Sequence, residues 1–145
     1  MTPNRPVTVR ALDATHKAAM LPLLAQLHTP LTRQTLSERF DEMARGGYEF
    51  VGAFQDERLV GVGVFCFRLT LHLGRHVDLE SLVVAESNRS RGVGKGLLEW
   101  IHRHAAARGC AVSRLDTFIT NTRAQKFYLA HGYAIHSFQL VCPLP

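Results

Sequence analysis

A chain of 145 residues, 46% hydrophobic and 20% charged, has the length of one domain and the composition of a globular rather than a disordered protein. Its longest apolar run covers residues 59–67, well short of the roughly 20 residues a membrane helix needs. The first residues form no apolar leader, so a single-domain cytoplasmic protein without a membrane partner is expected. The formal charge of +5 is uneven: residues 1–86 carry nine Lys/Arg against ten Asp/Glu, and residues 87–145 carry eight against two. A basic C-terminal part suits a polyanion such as a phosphorylated cofactor. Nucleic acid is not expected, because its arginines are not interleaved with aromatic residues that could stack on bases. Cys66, Cys110 and Cys142 lack the spacing of a disulfide framework or a zinc site, and each is expected to be a small buried hydrophobe.

Val7–Leu12 alternates apolar and polar residues and reads as the first strand. Asp13 or Thr15 can cap a helix running to Leu27, with Ala18, Leu21, Leu24 and Ala25 on one face and Pro22 as a possible kink. Thr35–Glu38 fits a capping box for a second helix ending near Arg45, where Gly46 and Gly47 stop it. Tyr48–Gln55 and Leu59–Leu69 read as strands joined by a turn at Asp56–Arg58, and His76–Ala85 as a further strand. The period becomes helical over Gly94–Arg108, with Leu97, Leu98, Ile101 and Ala105 in one stripe. Ser113–Phe118 is a strand, and Asn121 or Thr122 caps a last helix that carries Ala124, Phe127 and Tyr128. Tyr133–Val141 is expected to be the final strand. This order predicts an α/β fold around one mixed, mostly antiparallel sheet of six to seven strands, flanked by about four helices.

The segment that carries chemistry is Glu86–Leu98. A strand leads into a loop with glycines at 92, 94 and 96, and a helix follows at once. Glycines there admit close backbone approach, and a helix N-terminus offers unbonded N–H groups and partial positive charge. Arg89, Arg91 and Lys95 add full charges, and the whole suits a pyrophosphate. Leu97 breaks the dinucleotide fingerprint, and Arg89 and Gly96 break the P-loop pattern. The loop instead fits R-x-x-G-x-G in two frames, from Arg89 and from Arg91. Downstream comes Asn121-x-x-Ala124-x-x-Phe127-Tyr128-x-x-x-Gly132-Tyr133.

Together these segments resemble the two hallmarks of the GNAT superfamily of N-acetyltransferases, and the element order matches that family over nearly the whole chain. The resemblance implies acetyl-CoA as co-substrate and a sheet split between the fourth and fifth strands. It also implies pantetheine amides bonding to the backbone at Leu82 and Val84, with Val83 between. The pyrophosphate is expected on the N–H groups of residues 91–96, namely Arg91, Gly92, Val93, Gly94, Lys95 and Gly96, and Asn121 is expected to reach the cofactor. Tyr128 matches the family tyrosine near the cofactor sulfur, where a phenol can protonate the leaving thiolate.

An ammonium near pKa 10.4 must also lose a proton before it attacks. Glu80, Asp116 and Asp78 are the candidate bases, with Asp78 and Glu80 two apart and so on one strand face. No histidine or cysteine cluster has metal-ligand spacing, so no metal is expected. The expected acceptor is a small-molecule or peptide amine, and a homodimer is compatible with the family's use of its final strand. A non-catalytic acyl-CoA sensor or interaction module is the alternative.

Overall fold

The computed structural model describes residues 5–145, and the four residues before them, on which the expectation of no leader partly rests, lie outside that range. Two compact units divide the chain, one ending at Arg114 and the other formed by Leu115–Pro145.

In the first unit, strands β1 (Val7–Leu12), β2 (Glu49–Gln55), β3 (Arg58–Thr70) and β4 (Gly74–Val84) form an antiparallel run. The short β5 (Val112–Leu115) lies next to β4 at the edge of a five-stranded sheet. The hairpin between β2 and β3 is tighter than expected. Asp56 and Glu57 alone form the turn, at φ of 49° and 62°, and Gln55 pairs with Arg58. Two positive-φ residues match the twist of the flanking strands.

Helices α1 (Lys17–Leu27) and α2 (Arg33–Arg45) cover one sheet face. The buried face of α1 is Met20, Leu23 and Leu24, while Ala18 and Ala25 are exposed. The expected stripe was therefore rotated: the larger side chains at i, i+3 and i+4 take the core, where they bury more apolar area. Pro22 sits inside α1 without ending it. The α2 cap is Thr32 rather than Thr35, with the Thr35 amide donating to Thr32 Oγ1 at 3.1 Å. Phe40 of α2 stacks on Phe50 of β2 at 4.8 Å between ring centroids.

Helix α3 (Val93–Ala107) covers the other face. Gly61 and Gly63 of β3 leave the space it occupies. A Cβ at Gly61 would lie 3.0 Å from Leu97 and Val93, and one at Gly63 would lie 2.9 Å from Ile101 and from Val51. The far end of α3 is tied to β2, where His104 Nε2 lies 3.0 Å and Arg108 Nη1 3.1 Å from the Glu49 carboxylate. Trp100 stacks on His104 at 4.7 Å.

In the second unit, α4 (Thr122–Ala130) is capped by Asn121, whose Oδ1 accepts from the Ala124 amide at 3.1 Å. Among the described residues the sheet has five strands rather than six or seven, because Tyr133–Val141 forms no strand. Its alternation is real, but a strand needs a ladder partner. Ile135, Phe138, Leu140 and Val141 are exposed. The cysteines are free thiols, but none is fully buried as expected: Cys66 and Cys110 are partly buried and Cys142 is exposed. Among the described residues no helix is long and apolar enough to cross a membrane, and no group of three or more His, Cys, Asp or Glu could hold a metal ion.

Replacing Gly63 by Val should force α3 off the sheet and cost about 1–3 kcal/mol. Urea denaturation should show the lower midpoint, and an unchanged midpoint would mean that the close approach at Gly63 is unimportant.

Candidate active site

The glycine turn presents main-chain donors at the start of α3. Ser90 and Gly92 lie at φ of 62° and 79°, and Gly92 is the N-cap of α3 without a side-chain cap. The Gly96 amide already bonds the Gly92 carbonyl at 3.0 Å. That leaves the amides of Val93, Gly94 and Lys95 as the first-turn donors with no acceptor inside the helix. The approach is open, since a Cβ at Gly92 would meet nothing within 4 Å and one at Gly96 would meet only Val9, at 3.7 Å. Arg91 and Lys95 are exposed, and Lys95 is loosely paired with Glu99 at 3.8 Å. Donors, charge and clearance fit a diphosphate.

Arg89 is turned to a bracing task. Its Nε donates to the Val84 carbonyl at 3.3 Å, fixing the turn to the end of β4. Asn88 braces the other side. It is buried, and its Nδ2 donates to Gln55 Oε1 at 3.0 Å. Nothing in the spacing of residues singles out Asn88, whose partner is 33 positions away.

The edge of β4 can be read from its ladder. The Ala85 amide donates to the Val60 carbonyl at 2.8 Å, and Val62 is opposite Val83. Alternate residues direct their amides to the same side. Val83 therefore turns its amide toward β3 and its side chain into the core, whereas Leu82 and Val84 direct theirs to the opposite edge. Of the three residues expected at the cofactor, Val83 is the one whose polar groups are committed. With four residues, β5 can pair with only part of the eleven-residue β4. Arg114 of β5 reaches Asp78, near the start of β4.

Glu80 occupies a β-bulge. Val64 is opposite Ser81 and Phe65 is opposite Leu79, so Glu80 is the extra residue. An inserted residue breaks alternation and re-aims the local side chains. As a result the consecutive residues Glu80 and Ser81 both line one cavity, under α1 and α2. His28, just after α1, lines it too, and its Nε2 lies 3.0 Å from Ser81 Oγ. Sequence reasoning missed this Ser81 contact because it depends on the bulge register.

The other carboxylates differ from Glu80. Asp78 Oδ2 is bonded by Arg114 at 2.8 Å and Arg68 at 3.0 Å. In the second unit Asp116 is exposed rather than buried in an apolar run, and its Oδ2 accepts from Gln139 at 3.0 Å. Burial pushes the Cys66 thiol up, outweighing the hydrogen bond from Tyr48 that lowers it. A neutral thiol is a poor nucleophile.

Tyr128 lies in α4, edge-on to Tyr133 at 5.4 Å and to Phe127 at 5.2 Å. Burial first, and then the neighbouring Tyr133, raise its phenol above the usual tyrosine value of 10.0. The proton is therefore held throughout the neutral range.

An uncapped helix N-terminus at the end of a strand, in an α/β sheet, has donors suited to a phosphorylated carrier. The acetyltransferase (GNAT) family model matches residues 16–133, and the chain belongs to that family. A bovine thialysine N-epsilon-acetyltransferase is 31% identical over 81 residues, 56% of this chain and 48% of that protein. The chain thus spans about half the length of that relative. An uncharacterised N-acetyltransferase of Bacillus subtilis is 24% identical over 123 residues, 83% of this chain and 87% of that one. Among solved structures, an aminoglycoside N-acetyltransferase in complex with CoA superposes with a TM-score of 0.85 at 22% identity, covering 99% of this chain and 98% of that one. This last likeness is one of fold.

A raised phenol pKa stabilises the fold below the unfolded value and ceases to do so as pH climbs toward the folded one. Stability should therefore fall above about pH 10. Tyr128→Phe should remove part of that fall and the latest-rising phenolate absorbance; a Tyr128 signal appearing at or below pH 10 would contradict the assignment.

Proposed function

We propose that the chain is an N-acetyltransferase that moves the acetyl group of acetyl-CoA to a primary amine by direct attack, without a covalent enzyme intermediate. The observation that carries this reading is the α3 N-terminus. Three first-turn amides lie behind an open left-handed glycine, beside a strand whose Leu82 and Val84 amides face its outer edge. Diphosphate on the turn and pantetheine amides along the edge use both sets of donors. Arg91 and Lys95 supply charge, while Arg89 acts through the turn it braces. Asn121 keeps Oδ1 for its cap, and its Nδ2 is assigned to the cofactor by family resemblance.

In the transfer the amine nitrogen bonds to the thioester carbonyl carbon and the C–S bond breaks. The ammonium must first lose a proton, and Glu80 is the favoured acceptor because the bulge sets it at the cavity and no arginine holds it. Asp78, gripped by two guanidiniums, is better suited to holding the β3, β4 and β5 edges together. Asp116 remains a second candidate. An amide at the outer edge of β4 can stabilise the developing oxyanion. Tyr128, which retains its proton, is the proposed donor to the departing thiolate, and the second proton shed by the nitrogen as the amide forms passes through solvent to restore the phenol.

Tyr128→Phe should lower turnover by about 10²–10⁴-fold; steady-state rates within about threefold of the parent would remove it from the acid role. Gly94→Val should weaken acetyl-CoA binding while the far-ultraviolet circular dichroism stays unchanged, because a side chain there crowds the cradle. Equal calorimetric affinity for the two proteins would refute the cradle.

A further inference from the structure

We infer that the acceptor is a free α-amino acid with an apolar side chain. This rests on the acetyltransferase reading and specifies its acceptor. The cavity under α1 and α2 has a volume of about 100 Å³ and is lined largely by apolar side chains, among them Leu31, Leu36, Phe40 and Met43. At about 10–15 Å³ for each water-sized group, that is room for about seven to ten such groups.

Two opposite charges border this space, Glu80 from β4 and Arg39 from α2. Both are exposed, and neither forms an ion pair among the described residues. The contrast with Asp78 and Glu49 is informative, since Asp78 meets two guanidinium groups and Glu49 meets the Arg108 guanidinium and the His104 imidazole. An unpaired carboxylate and an unpaired guanidinium at one apolar cavity match the three parts of a zwitterion. Glu80 faces the ammonium, Arg39 grips the carboxylate as a planar fork, and the side chain enters the cavity. The side chain that fits is apolar, of the size of leucine or methionine or larger.

Polyamines and aminoglycosides fit poorly. Their additional ammonium or hydroxyl groups would be left without partners against the apolar lining, which is costly. A simple alkylamine fills the cavity but leaves Arg39 unused.

The test compares leucine, leucinamide, 3-methylbutylamine, spermidine and an aminoglycoside as acceptors, with acetyl-CoA and the full chain, reading thiol release. Leucine should exceed leucinamide and 3-methylbutylamine in kcat/KM by about tenfold or more, the worth of one charge-assisted hydrogen bond. Arg39→Gln should bring the leucine-to-leucinamide ratio close to one. A parent enzyme that uses both equally, or prefers spermidine or the aminoglycoside, overturns the proposal. Calorimetry with acetyl-CoA separates the two levels. If the cofactor binds and another amine is acetylated while leucine is not, only the amino-acid assignment falls. If the cofactor does not bind, the acetyltransferase reading falls with it.

Discussion

The close seating of α3 on β3 is the constraint from which the rest follows. Gly61 and Gly63 have no side chains, so Val93, Leu97 and Ile101 descend onto the strand itself. A helix held this near the sheet starts beside the end of β4, where the preceding loop is pinned by Arg89 to the Val84 carbonyl. The Glu49, His104 and Arg108 cluster holds the other end of the helix. The direction of the N-terminal donors is thus decided by packing well away from any ligand. At the turn itself the amides of Val93, Gly94 and Lys95 are left without an acceptor inside the helix.

The two carboxylates of β4 show how the same strand divides its tasks. Asp78 is surrounded by guanidinium groups and joins β3, β4 and β5 electrostatically. Glu80, two positions on, is displaced from the ladder and left beside an apolar cavity. Charge that is neutralised supports the fold, and charge left unpaired is available to a ligand. A similar division holds in the second unit, where the Asn121 carbonyl oxygen is used as a helix cap.

How much of this was legible in the sequence depends on whether the signal is local. The glycine turn could be read because residues 92, 94 and 96 and the charges around them lie within one short segment. The strand order and α3 were visible through periodicity over many residues. The bulge at Glu80 was not visible, because it exists only as a register between β3 and β4. The same holds for the His28–Ser81 contact across 53 positions. The rotated face of α1 shows a different failure: small alanines satisfy a hydrophobic pattern without supplying area to bury. Tyr133–Val141 shows a third, since alternation says which side chains could share a face but not whether a neighbour exists.

The bulge also separates heritable variation at one position from the integrity of the sheet. Residue 80 has no directly opposed Cα partner on β3, whereas residues 79 and 81 do. A different side chain at 80 disturbs no cross-strand pair, so chemistry there can drift while the scaffold stays put. Loss of the residue altogether would close the bulge, since Leu79 and Ser81 would become neighbours while keeping Phe65 and Val64 opposite them, and the ladder would run on regularly. Val77 and Leu79 would stay on the faces they now occupy. Residue 80 thus belongs to the cavity alone, and the sheet could be assembled without it.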